Sequence, residues 1–228
     1  MAQVVLVHGA YQGGWIWRDV AAALRARGHE VCAPTLDGCA ERAGALRAGI
    51  TTETHAAELA ALLFYQDMQE VTLVGTSTGG MVICRAAELA PARVGRLVFA
   101  DALALLPGEA VGEIVRRPNA VTTALATGPT RADAEGRLFA DLDPATRAFA
   151  LARTTPHPRA VLEAPVVLDG FWDHAWNATV IRCKRSANPP EAHQRRTADR
   201  LRARYLELDT GHYPMLSLPR ELARLIGG

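Results

Sequence analysis

The apolar run Val71-Thr72-Leu73-Val74 leads directly into Gly75-Thr76-Ser77-Thr78-Gly79-Gly80 and then into Met81-Val82-Ile83-Cys84-Arg85-Ala86-Ala87, and no other stretch constrains this chain as strongly. A strand, a glycine-flanked turn and a helix follow one another without a spacer, the context in which G-x-S-x-G forms a sharp strand-to-helix turn. Residues lacking a Cβ on either side of Ser77 let the backbone bend tightly enough to lift the hydroxyl above the sheet. The amides opening the following helix face any anion formed there. Ser77 is therefore expected to be a nucleophile.

On both sides of this turn, short valine- and leucine-rich runs alternate with amphipathic stretches rich in alanine and arginine. That is the pattern of repeated βα units, in which a parallel sheet is buried on both faces. The expected class is α/β, with about six mainly parallel strands at 4–8, 30–33, 70–75, 95–101, 179–184 and 204–209. Helical spacing of apolar residues appears at 15–27, 52–66, 79–89, 190–202 and 219–226, with Thr52, preceded by Thr51, as an N-terminal cap and Gly28 as a stop. From Leu103 to Trp176 the rhythm breaks into fragments separated by Pro107, Pro118, Pro129, Pro144, Pro156, Pro158 and Pro165. This section reads as a small helical cap inserted after the strand ending at Asp101 and lying over the carboxyl ends of the strands, where open α/β sheets bind ligands. The expected organisation is a core of 1–102 and 177–228 with a cap of 103–176.

Composition narrows the partners. A formal net charge of +1, spread without long charged blocks over 228 residues, implies neither nucleic acid nor an anionic membrane surface. A small-molecule substrate is expected instead, with a homodimer left open. No apolar run approaches the roughly 18 residues of a membrane span, and Met1 leads into a strand-like run with no leader pattern, so a cytoplasmic location is expected. Cys32, Cys39, Cys84 and Cys183 lack metal-ligand spacing and read as reduced, mostly buried thiols. No cofactor and no metal is expected.

A serine hydroxyl is a poor nucleophile at neutral pH and needs a positioned base, most often histidine. Of the seven histidines, His212 lies in Leu208-Asp209-Thr210-Gly211-His212-Tyr213-Pro214, between the last strand and the last helix. His8-Gly9-Ala10-Tyr11-Gln12-Gly13-Gly14-Trp15 follows the first strand, and its glycines leave backbone amides free to face a substrate oxygen. An oxyanion hole from the Ala10 and Thr78 amides is expected, with His8 structural.

These segments, with Trp17, Pro34-Thr35-Leu36-Asp37-Gly38, Glu41-Arg42 and Met215-Leu216-Ser217-Leu218-Pro219, resemble the hydroxynitrile lyase and plant methylesterase branch of the α/β-hydrolase fold, including its bacterial relatives. The resemblance implies a cofactor-free enzyme with a Ser/His/Asp triad that cleaves esters, or splits cyanohydrins without an acyl-enzyme. The lyases of that branch carry a lysine directly after the catalytic histidine and a threonine directly after the first histidine of the oxyanion loop. Tyr213 and Gly9 stand at those positions here, which favours ester hydrolysis. The family acid belongs in the loop after 179–184, which reads Arg185-Ser186-Ala187-Asn188-Pro189-Pro190 and has no carboxylate.

Asp101, ending the strand after the nucleophile turn, is the first substitute for that acid. Ser186 or Asn188 as neutral partners of His212 are alternatives, and Asp209 is read as turning its loop. Gly9, Tyr11, Leu103, Trp172, Trp176 and Tyr213 are the expected substrate contacts, with Phe171, Leu105 and Met215 as further apolar candidates. The preferred reading is a serine hydrolase of a small carboxylic ester, lactone or thioester, acting through an acyl-enzyme on Ser77. A lyase or cyclase using Ser77 and His212 as an acid-base pair is the alternative within the fold, and a non-catalytic binding protein with a degenerate triad is the alternative outside enzymes.

Overall fold

The computed structural model describes residues 1–116 and 119–228, so Pro118 lies outside the described residues. The strands are β1 (Gln3–Val7), β2 (Glu30–Cys32), β3 (Val71–Ser77), β4 (Val94–Ala102), β5 (Ala120–Thr122), β6 (Ala126–Pro129), β7 (His157–Pro158), β8 (Ala178–Cys183) and β9 (Arg204–Leu208). The α-helices are α1 (Arg18–Arg25), α2 (Thr52–Tyr65), α3 (Gly79–Leu89), α4 (Val111–Ile114), α5 (Arg131–Asp133), α6 (Pro144–Leu151), α7 (Arg159–Glu163), α8 (Glu191–Leu201), α9 (Pro214–Ser217) and α10 (Pro219–Gly227). Thr51, not Thr52, caps α2, and its N–H donates to Thr54 Oγ1 at 3.2 Å.

All six expected strands form one sheet in the order β2-β1-β3-β4-β8-β9, every neighbouring pair parallel. The central strands are almost uniformly apolar because helices cover both faces. Val5, Val7, Leu73, Leu97 and Phe99 pack on the side of α2, α3 and α8, while Val4, Leu6, Val74, Val98 and Ile181 pack against Trp17, α1 and α10. The chain runs from β1 outward to β2 and then returns to the other side of β1 as β3. The strand order thus reverses between β1 and β3, and the crevice at their carboxyl ends is where such sheets hold ligands. His8–Tyr11 and Ser77–Thr78 leave the sheet at that crevice.

The segment between β4 and β8 differs from the expectation in one respect. It is not helical alone, because β5, β6 and β7 form a separate three-stranded antiparallel sheet. Glu88 on α3 ties the end of this segment to the core: one carboxylate oxygen accepts the amides of Asp169, Gly170 and Phe171, and the other accepts from Arg85. At its middle, Thr155 N–H donates to the Tyr11 carbonyl at 3.1 Å, which seats it on the loop after β1.

Candidate active site

Ser77 ends β3 with φ +50°, a left-handed conformation that side chains seldom adopt. The turn tolerates it because its glycines allow the backbones to close up. A Cβ on Gly79 would lie 2.6 Å from the Val7 and His8 carbonyl oxygens, and one on Gly80 would lie 2.2 Å from the Leu103 carbonyl oxygen. The helix therefore starts against the ends of β1 and β4, directly behind the serine. Opposite, a Cβ on Gly9 would lie 2.6 Å from Ser77 Cβ. The loop after β1 touches the serine only because position 9 has no side chain.

One strand away, Asp101 occupies a β-bulge. Thr76 pairs with Ala100 but Ser77 pairs with Ala102, which leaves Asp101 as the extra residue, at φ +49°. A bulge re-aims the side chain it carries. The Asp101 carboxylate, fully buried, turns to the carboxyl end of β8, where Oδ1 accepts the Cys183 amide at 3.0 Å and Gln194 Nε2 at 2.8 Å. Oδ2 accepts from His212 Nδ1 at 2.6 Å. A carboxylate only accepts, so with Asp101 ionised Nδ1 carries the hydrogen, which in a neutral imidazole leaves the lone pair on Nε2. Ser186 and Asn188 do not take this place, since Ser186 Oγ donates instead to the Asn188 carbonyl at 2.9 Å. Asp209 accepts from Arg185 through its own carbonyl at 2.7 Å, as a loop-turning residue would.

Ser77 and His212 line one cavity of about 340 Å³, together with Ala10, Tyr11, Thr78, Leu103 and Tyr213. The Ala10 and Thr78 amides donate to no group among the described residues, so both remain available to an oxygen bound beside Ser77. Val111, Val115, Leu138 and Leu162 give the cavity an apolar wall, and Arg137, Asp141, Arg185 and Asn188 give it a polar one. His8 is buried behind the loop with Nδ1 donating to the Gly9 carbonyl at 2.8 Å and Nε2 accepting the Leu36 amide at 3.0 Å. Burial holds its pKa down at about 4 and the ring neutral, in the structural role expected of it.

A model of the alpha/beta hydrolase family matches residues 4–225. The chain belongs to this family. It is similar to a carbendazim hydrolyzing esterase of Nocardioides sp. (strain SG-4G), 44% identical over 102 residues, which are 45% of this chain and 42% of that protein. It is also similar to an alpha-hydroxynitrile lyase of Arabidopsis thaliana, 37% identical over 99 residues, 43% of this chain and 38% of the relative. The matches thus span less than half the length of these curated relatives, and they lie in the branch expected from the motifs. Among solved structures, an extracellular alpha/beta-hydrolase from a Paenibacillus species superposes with a TM-score of 0.83 at 21% identity, covering 99% of this chain and 98% of that one. That likeness establishes the α/β-hydrolase fold.

In this hydrolase-family chain, three of the six expected substrate contacts do not line the cavity, and the first of them, Gly9, is buried against Ser77. Trp172 does not line the cavity, and its Nε1 donates to the Leu105 carbonyl at 3.2 Å. Trp176 is buried against Phe171, with its Nε1 on the Phe171 carbonyl at 2.9 Å. Both rings pack at the base of the inserted segment, where the turn Phe171–Asp173 returns the chain to the core beside α3. Phe171, Leu105 and Met215 likewise belong to the core. Three charged groups escaped the sequence reading. Arg137 lines the cavity while bound to Asp133, Arg185 leans on Asp209, and Asp141 accepts the amide of Gly211, next to His212, at 3.1 Å. None carries a motif. Arg137 and Asp141 could have been suspected only from their place in the segment above the strands' carboxyl ends.

Proposed function

We propose that this chain hydrolyses a small carboxylic ester or close acyl relative by a serine acyl-enzyme mechanism. Neutral His212 takes the Ser77 proton on Nε2 as the serine oxygen attacks the acyl carbon, and Asp101 balances the imidazolium that results. The oxyanion is received by the Ala10 and Thr78 amides. His212 then returns the proton to the departing alcohol oxygen, and water, activated by the same imidazole, releases the acid and frees Ser77. The observation that carries this reading is the 2.6 Å contact between His212 Nδ1 and Asp101 Oδ2, which orients the base on the cavity that Ser77 lines. A space of about 340 Å³ lies in the range of small-ligand sites. Similarity to a carbendazim hydrolyzing esterase supports an ester-like acyl substrate.

Hydrolysis is preferred over cyanohydrin cleavage because position 213 offers no cation beside the histidine. Burial, above all, pushes the Tyr213 phenol up and keeps it neutral, against a hydrogen bond to Gln12 that pulls the other way. The test is turnover of p-nitrophenyl acetate, with mass spectrometry after treatment with a fluorophosphonate. Loss of turnover in Ser77→Ala and a single adduct on Ser77 in the parent are the expected results. Undiminished turnover in Ser77→Ala would overturn the assignment.

A further inference from the structure

We propose that Gln194 is a positioning residue that holds the Asp101 carboxylate in register with His212, an inference that rests on the Ser77–His212–Asp101 reading above. Gln194 lies on α8, 1% exposed, and touches no substrate space. Its Nε2 donates to Asp101 Oδ1 at 2.8 Å and to the Pro189 carbonyl at 3.2 Å. The amide cannot be turned round, because that would bring Oε1 against two acceptors. Its Oε1 is buried and without a partner among the described residues. A buried amide with one orphaned end is disfavoured relative to an apolar side chain of the same volume. Packing alone therefore does not explain a glutamine here, whereas the two N–H bonds do.

The carboxylate has three donors: the Cys183 amide and Gln194 on Oδ1, and His212 on Oδ2. Without Gln194, Oδ1 keeps one bond, and the group can rotate about Cβ–Cγ away from Nδ1. The same amide anchors the 185–190 loop through Pro189. Gln194 thus joins the loop where the family acid is missing to the strand from which the acid comes instead. The titratable groups around Asp101 are His212 from the loop after β9 and the Cys183 thiol on β8, with Asp141 and Arg182 close enough to act on that thiol.

The test compares Gln194→Leu with Gln194→Glu across the pH range, using p-nitrophenyl acetate. Leucine fills the space without a donor. Glutamate restores a donor only while one proton is shared with Asp101, and it loses that donor as pH rises and both carboxylates ionise. The kcat of Gln194→Leu is expected to fall by about 10- to 100-fold, as for other groups that orient a reacting side chain, with KM nearly unchanged. Gln194→Glu is expected to outperform Gln194→Leu at low pH and to lose that advantage as pH rises. An unchanged kcat in Gln194→Leu overturns the proposal. So does a ratio of the two variants that is flat with pH, since a merely structural role would give it. Thermal melts establish that each variant is folded, and Gln194→Met replaces Gln194→Leu if the latter does not fold. Activity in Ser77→Ala would overturn the hydrolase reading instead, so the two failures are distinguishable.

Discussion

Asp101 and His212 are separated by 111 positions in the chain and meet at 2.6 Å, carboxylate oxygen to ring nitrogen. Two features bring them together. A bulge turns Asp101 off β4, and a two-strand step across β8 carries the chain to the loop holding His212.

Asp101→Asn should remove most of the catalysis while preserving the fold. The asparagine amide would face Nδ1 as a donor, force the ring hydrogen onto Nε2 and abolish the base. A fall in kcat approaching 10⁴-fold, about that of the best-studied triad, is expected. Steady-state kinetics on an aryl ester decide it, and a loss below about tenfold would show that another group orients His212.

Gly9→Ala should injure activity far more than stability. The new methyl would stand 2.6 Å from Ser77 Cβ, so either the serine or the loop carrying the Ala10 amide must move. Because misplacement by about 1 Å can cost 100-fold in rate, kcat should fall by about that factor while the urea midpoint changes little. Parent-like kinetics would mean that the loop yields without affecting the site.

Much of this was legible in the residues. The central strands β1, β3, β4 and β8 are largely apolar on both faces, a pattern that survives without knowledge of partners. The serine turn and the His212 loop each carry local glycine chemistry. The antiparallel hairpins of the inserted segment do not, because Ala120–Thr122 and His157–Pro158 are too short to show alternation and exist only by pairing with Ala126–Pro129. The acid stayed open for a related reason, since a bulge at Asp101 is a property of two strands read together. Gln194 was hidden among the arginines of α8, although its spacing to Ala198 and Leu201 marks the buried face of that helix. Trp172 and Trp176 misled because an aromatic pair suits a pocket and a core equally well.

Stability should weaken in mild acid. His8 and His193 are both held down at about 4, in each case chiefly by burial, with Arg196 adding to the effect on His193. In the unfolded chain they titrate near the ordinary 6.5, so the unfolded state takes up protons that the folded state refuses. This contribution is complete above the unfolded value and declines as pH falls from there toward about 4, by up to about 1.4 kcal/mol per pH unit for each ring. Urea midpoints measured from neutral pH downward should fall across that window, and His193→Gln should reduce the slope. A midpoint constant through the window would refute the effect.

Glu88→Ala should loosen the inserted segment. Three backbone amides would lose their acceptor and Arg85, which also binds Glu53, would lose one partner. These donors are exposed or only partly buried, so the cost falls toward the low end of the about 1–3 kcal/mol of a buried unpaired donor. Hydrogen exchange of the Asp169, Gly170 and Phe171 amides should accelerate before that of β3. Glu88→Gln, which keeps an acceptor, should be milder.

With Asp101 on β4 as the proposed acid, Arg185 to Asn188 line the cavity and take no share in proton transfer. In a relative whose acid sits in that loop, altering specificity there endangers the chemistry. Under the proposed assignment the two are uncoupled here, so randomising positions 185, 187 and 188 should yield libraries rich in folded, active clones with new substrate preferences.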